Sequence, residues 1–178
     1  MRYAVHFICI VFLLVANLGL FGLLPIWGQI PNLLFLFVLC SALAKKEFDF
    51  LFVAFLCGLF LDFYSPAFFG GHTLALLLIA LVTYLFSNYI FVIELNFKNL
   101  ALATIFSWLG LNLIVWLWGL AALKFNLNPS YVSLKIFMSN FLPGLIYNLL
   151  LLYPMYLFYD FLRHSLDNYE ARSRGVIK

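Results

Sequence analysis

"PNLLFLFVLCSALAKKEFDFLFVAFLCGLFLDFY", Pro31 to Tyr64, sets two apolar runs on either side of one charged turn. Apolar residues fill odd and even positions alike in both runs, so the alternation of a half-buried strand is missing. The same pattern argues against a membrane β-barrel, whose strands alternate over about ten residues. Extended backwards to Ile26, the first run approaches the roughly 20 residues a helix needs to cross hydrocarbon. The stretch therefore reads as a tight hairpin of two membrane helices, with Pro31 as the N1 residue opening the main part of the first.

Composition agrees with that solvent. Hydrophobic residues make up 66% of the 178-residue chain, charged ones 10%, and the mean hydropathy is +1.08. Soluble domains carry about a quarter charged residues. Outside the hairpin, further runs of spanning length predict an all-α integral membrane protein of six transmembrane helices, over residues 3–24, 26–44, 48–64, 72–93, 100–123 and 136–158. Pro143 and Pro154 fall inside the last and predict kinks accommodated by buried neighbours. One transmembrane domain then takes up residues 1–178, ending in a short basic cytoplasmic tail over 163–178.

Six spans divide the basic residues cleanly. Arg2, Lys45, Lys46, Lys98, Arg163, Arg172, Arg174 and Lys178 fall on one side, Lys124 and Lys135 on the other. Cytoplasmic loops are the ones rich in Lys and Arg, so both termini are expected in the cytoplasm. The first run is long for a signal-peptide core and no A-x-A site follows it, so it is expected to remain as a helix. Asp167 and Glu170 interrupt the basic tail, which points to lipid headgroups as its partner and not nucleic acid. Cys9, Cys40 and Cys57 lie in apolar runs without C-x-x-C spacing, predicting neither a disulfide framework nor a metal site.

The polar minority inside the spans carries the remaining information. Ala54, Gly58 and Asp62 are spaced i, i+4, i+8, giving the third helix a face of small residues that ends in a carboxylate. Small faces let helices approach closely. Asn140, Gly144 and Asn148 draw the same line on the sixth helix beside Pro143, and Asn17 and Asn112 add single amides to the first and fifth. Polar groups at such depth face other helices, because an unpaired one in hydrocarbon costs several kcal/mol.

Asp62 lies about 24 Å along its helix from the charged turn, at 1.5 Å per residue, hence near the outer interface. It is expected to accept hydrogen bonds from the turn containing Gly70 and Gly71 and from the start of the fourth helix, whose dipole favours a negative charge; the other reading is a ligand, proton or partner contact, since intramembrane carboxylates are often functional. A carboxylate in the capping role is expected to tolerate Asp62→Asn, which keeps one acceptor oxygen. Asp62, Ser65 and His72 are triad residue types within eleven positions, but no G-x-S-x-G elbow accompanies them. An aspartyl intramembrane protease would need a second facing carboxylate. His72 reads as a helix-start residue, and no catalytic, cofactor or metal site is expected.

The order of these features resembles the rod shape-determining protein MreD family. Ile30 to Phe86 looks like that family's central block: Pro31-Asn32 opening the second span, Gly58-x-x-x-Asp62 closing the third, and Gly70 or Gly71 before the fourth. "NFLPG", Asn140 to Gly144, resembles the Asn and Pro near the start of its last span. The resemblance implies a non-enzymatic subunit of the bacterial cytoplasmic membrane that pairs with MreC. With MreB, RodA and its transpeptidase, such subunits organise lateral peptidoglycan synthesis. It also implies a fold similar to the S components of energy-coupling-factor transporters, and so a second reading as the substrate-binding subunit of a vitamin transporter. Those subunits carry an A-x-x-x-A-like face on the first helix, where this chain has Ala16, Gly19 and Gly22.

Overall fold

The computed structural model describes residues 2–19, 21–23, 25, 29–44, 49–64, 69–89, 97–123 and 134–173. These form six α-helices: α1 (Arg2–Gly19), α2 (Leu33–Leu43), α3 (Asp49–Tyr64), α4 (Gly71–Tyr89), α5 (Phe97–Leu123) and α6 (Leu134–Ser173). A single 3-10 turn, Phe21–Leu23, follows α1, and there is no strand among the described residues. Lys45, Lys46, Ser65, Lys124, Arg174 and Lys178, and the side chains of Arg2, Lys135, Asn140 and Arg172, lie outside what the structure describes.

α2 is the axis of the fold. It packs against α1, α3, α4, α5 and α6, and all 11 of its residues are buried. Around it the outer helices touch in the order α1, α3, α4, α5, α6; among the described residues α1 and α6 meet chiefly through α2. A helix apolar on every side must be covered on every side. Phe35, Leu36 and Phe37 of α2 form the middle of the core with Ile10, Phe50, Leu76 and Leu152 from four of its neighbours.

The outer helices show the inverse pattern. Ile8, Phe12, Phe106, Leu150 and Phe161 are among many large apolar side chains that are more than half exposed. Such a surface is at home in lipid, since soluble proteins rarely expose contiguous apolar patches beyond a few hundred Å². Among the described residues, three helical segments are long and apolar enough to cross a membrane: Gly71–Asn88, Phe97–Ala121 and Phe141–Tyr169.

α1 ends at Gly19, short of the expected Leu24, and two other helices depart further from the expected bounds. α2 starts at Leu33, not near Ile26, and its 11 residues rise only about 16 Å. Pro31 is accordingly not its N1 residue: Asn32 is the N-cap and Pro31 stands one place outside the helix. The residue before a proline disfavours the α conformation, and the Asn32 side chain supplies the stop that a run of apolar residues conceals. α6 runs the other way, continuing from the apolar segment through the expected tail to Ser173, 40 residues in all. Pro143 and Pro154 both sit inside it.

Candidate functional site

Two polar centres tie the helices together, and both contain residues singled out by the sequence. The first lies where α3 meets the beginning of α4. Ala54, Gly58 and Asp62 all lie on the buried face of α3. Gly58 is where α4 comes closest: a Cβ there would collide with the Thr73 Cα and stand 3.0 Å from the Thr73 nitrogen and 3.2 Å from the His72 carbonyl oxygen. One turn further on, the Asp62 carboxylate meets the same segment. Its Oδ2 accepts from the backbone N–H of Gly70 (3.0 Å) and of Thr73 (3.0 Å) and from the Thr73 hydroxyl (2.5 Å). Its Oδ1 accepts from the His72 N–H (2.8 Å) and lies 3.1 Å from His72 Nδ1.

The four-residue spacing thus has a mechanical reading. Glycine lets the first turn of α4 come down onto α3, and aspartate, on the same face, takes the N–H groups that no helical carbonyl can reach. Gly70 occupies the N-cap place of α4, its carbonyl accepting from Leu74 N–H at 2.9 Å. It has φ +97°, a left-handed conformation that glycine alone adopts without strain. Gly71 makes room for the Trp118 indole of α5, whose Cδ1 would lie 2.9 Å from an added Cβ. An ionised carboxylate only accepts, so the contact with His72 places the imidazole proton on Nδ1.

The second centre closes the start of α2, where Pro31 and Leu33 are buried and Asn32 partly so. Asn32 Oδ1 accepts from Phe35 N–H at 3.0 Å, the usual N-cap bond. The Asn32 N–H itself donates to Asn148 Oδ1 of α6 at 2.9 Å, and Leu33 N–H reaches Asn17 Oδ1 of α1 at 3.5 Å. Asn148, fully buried, uses its other end to donate to the Gly144 carbonyl at 2.8 Å. Three asparagines from three helices satisfy donors that would otherwise be stranded in an apolar core.

Gly144 has a second task. A Cβ there would stand 2.6 Å from the Trp108 ring, so the glycine seats the indole of α5 against α6. Trp108 Nε1 donates to the Phe141 carbonyl at 3.1 Å, and its ring meets Phe35 of α2 edge-on with centroids 5.5 Å apart. Asn112 donates to its own helix at the Trp108 carbonyl, 2.8 Å away, and joins neither centre.

The structure therefore brings together Gly58, Asp62, Gly70 and Gly71 at one joint, and Pro31, Asn32 and Gly144 around the other. Pro143, next to Gly144, is partly buried, and Ala54 packs two turns below Asp62 on the α3–α4 face. Thr73, Trp108 and Trp118 were not foreseen. For Thr73 the signal was its place three residues after Gly70, within reach of any carboxylate capping that turn; the tryptophans carry no sequence mark, since their partners are distant glycines. Comparison with protein-family models, with curated proteins and with solved structures finds no match to this chain.

Chemically, both centres are sinks for backbone donors. Asp62 and His72 adjoin as an acid and base would, but the carboxylate already takes five contacts. No group of three or more His, Cys, Asp or Glu able to hold a metal occurs among the described residues.

Proposed function

We propose that the chain is a membrane scaffold of the MreD type, a non-enzymatic subunit of the bacterial elongation machinery. In this reading α1 to α6 are six crossings of the cytoplasmic membrane with both termini inside. The bundle binds the transmembrane helix of MreC and, with MreB, RodA and its transpeptidase, helps organise lateral peptidoglycan synthesis and rod shape. The observation that carries the reading is where the family-like motif residues fall. The Asn32 N–H ties the start of α2 to Asn148 of α6, Gly58 and Asp62 grip α4, and Gly144 seats Trp108. Each sets the relation between two helices, which is what a rigid platform for partner helices requires.

Transport is the second reading, with the chain as the substrate-binding S component of an energy-coupling-factor transporter. One feature favours it: α2 begins inside the bundle, as discontinuous helices do in many transporters. Co-purification from bilayers separates the two. A scaffold of this type is expected to retain MreC and to have reading frames for MreB and MreC beside its own. Recovery with an ATP-binding cassette pair, and no retention of MreC, would overturn the scaffold reading.

A further inference from the structure

One line of exposed side chains runs along α6. Leu142, Ile146, Leu150, Tyr153, Leu157 and Phe161 follow at steps of three and four residues, which puts them on one side of the helix. At 1.5 Å per residue the line rises about 28 Å, close to the roughly 30 Å of a hydrocarbon core. Its continuation changes character at once: the next exposed residues are His164, Ser165 and Asn168. Asp160, just before the change, directs its carboxylate forward to the His164 imidazole, 3.7 Å away. The charge nearest the line thus belongs to its polar end.

The turn between α2 and α3 sets the same level independently. Arg163 and Asp167 line a recess together with Ala44, the C-cap of α2, and Asp49, the first residue of α3. Lys45, Lys46 and Glu47 lie between those two in the sequence. Three fixed charges are expensive in hydrocarbon, so the end of α2 and the start of α3 emerge where headgroups or water begin. Arg163 stands at that level, and it falls between Phe161 and His164.

What covers the line follows from its composition. Membrane helices approach one another over small residues, as α4 does over Gly58 and Trp108 of α5 does over Gly144. The six positions of the line hold only leucine, isoleucine and aromatic residues. A partner helix or a second copy would find no close approach there, whereas acyl chains need none. Tyr153 brings the one hydroxyl of the line, and its ring lies edge-on to Phe97 of α5 with centroids 6.4 Å apart.

We propose that this line is the lipid-contact surface of α6, with acyl chains along Leu142 to Phe161 and phospholipid headgroups at His164 and Asn168. Such a surface requires that α6 cross the membrane, as in the reading above, and does not require MreC. The hydrocarbon ends between Phe161 and His164, and the last turns of α6, to Ser173, lie beyond it.

The test uses the unmodified full chain, ²H- and ¹⁵N-labelled, in nanodiscs of phosphatidylethanolamine and phosphatidylglycerol. Molecular oxygen, which concentrates in hydrocarbon, and a gadolinium chelate, which stays in water, are added in turn, and the relaxation enhancement of each α6 amide is measured by NMR. Oxygen is expected to exceed the chelate several-fold at Leu150, Leu157 and Phe161, and the order to invert by Asn168. Inversion near Tyr153 would overturn the proposed boundary while leaving α6 a crossing. Weak effects of both reagents at Leu150 and Leu157 would overturn lipid contact in favour of a protein cover. A dominant chelate effect along the whole line would overturn the crossing itself, and the six-span reading with it.

Discussion

Asp62 shows how much a single side chain carries where water is scarce. Its two oxygens receive three backbone N–H groups, one hydroxyl and one imidazole contact. Asparagine would keep one oxygen and turn an amide against donors already pointing at it, so the tolerance of Asp62→Asn expected from sequence does not follow from this geometry. We predict a loss of about 1–3 kcal/mol for Asp62→Asn, with Asp62→Leu at least as severe because every donor is stranded. Equilibrium unfolding in mixed micelles is the measurement, and an Asn variant as stable as the wild type would show that these donors find other acceptors. Gly58→Ala is predicted to cost about 1–3 kcal/mol by overpacking, since the obstacle is the Thr73 backbone and not a side chain that can swing away. Gly70→Ala meets open space and is penalised only through its backbone at φ +97°, by about 1–2 kcal/mol. Comparing the two alanine variants in one assay separates crowding from strain.

Single elements differ in how openly the sequence declares them. The α3–α4 joint was legible, because a carboxylate in an apolar run needs donors and a Gly-Gly turn a few residues on supplies them. The length of α2 was not. Hydrophobicity does not separate a helix from the chain that leads into it, so Ile30 and Pro31 carried no apolar sign that the helix begins only at Leu33. Pro31-Asn32 was the cue, misread by two positions, since N1 is Leu33 and not Pro31. The far end of α6 failed for the opposite reason: beyond Asp160 the composition turns polar, yet a helix leaving the membrane needs no apolar face to persist. Asn148 was visible as a polar residue on a small-residue line, but its pairing with Asn32 requires the tertiary fold. Asn148→Leu is predicted to strand the Asn32 N–H, costing about 1–3 kcal/mol, with faster amide exchange at residues 32 and 33 as its readout. Unchanged exchange there would mean that α2 holds its start by the Asn32 cap alone.

At the scale of the whole molecule, the described residues form an open arc of five helices, α1, α3, α4, α5 and α6, around α2, and the exposed apolar surface belongs to the five. Orientation rests on eight basic residues against two. Reporter fusions after Lys46, Lys98 and Lys178 are expected to read as cytoplasmic, and those after Gln29, Phe69 and Asn126 as periplasmic. The Gln29 fusion is the most demanding, because α2 rises only about 16 Å and the chain before it must complete the crossing. A cytoplasmic signal at Gln29 would remove the first crossing and the six-span topology with it.

The bond between Asn32 and Asn148 joins residues 116 positions apart, and that distance is also an interval of time. At about 5–20 residues per second, the ribosome delivers the second asparagine roughly 6–23 seconds after the first. Until then the central helix has been made but cannot be sheathed, and its opening turn must borrow solvation from the translocon, from headgroups or from a chaperone. α6, made after the other five described helices, is thus the one that closes the start of α2. A chain that stops after residue 133 lacks both the Asn148 acceptor for the Asn32 N–H and the α6 cover over one side of the central helix.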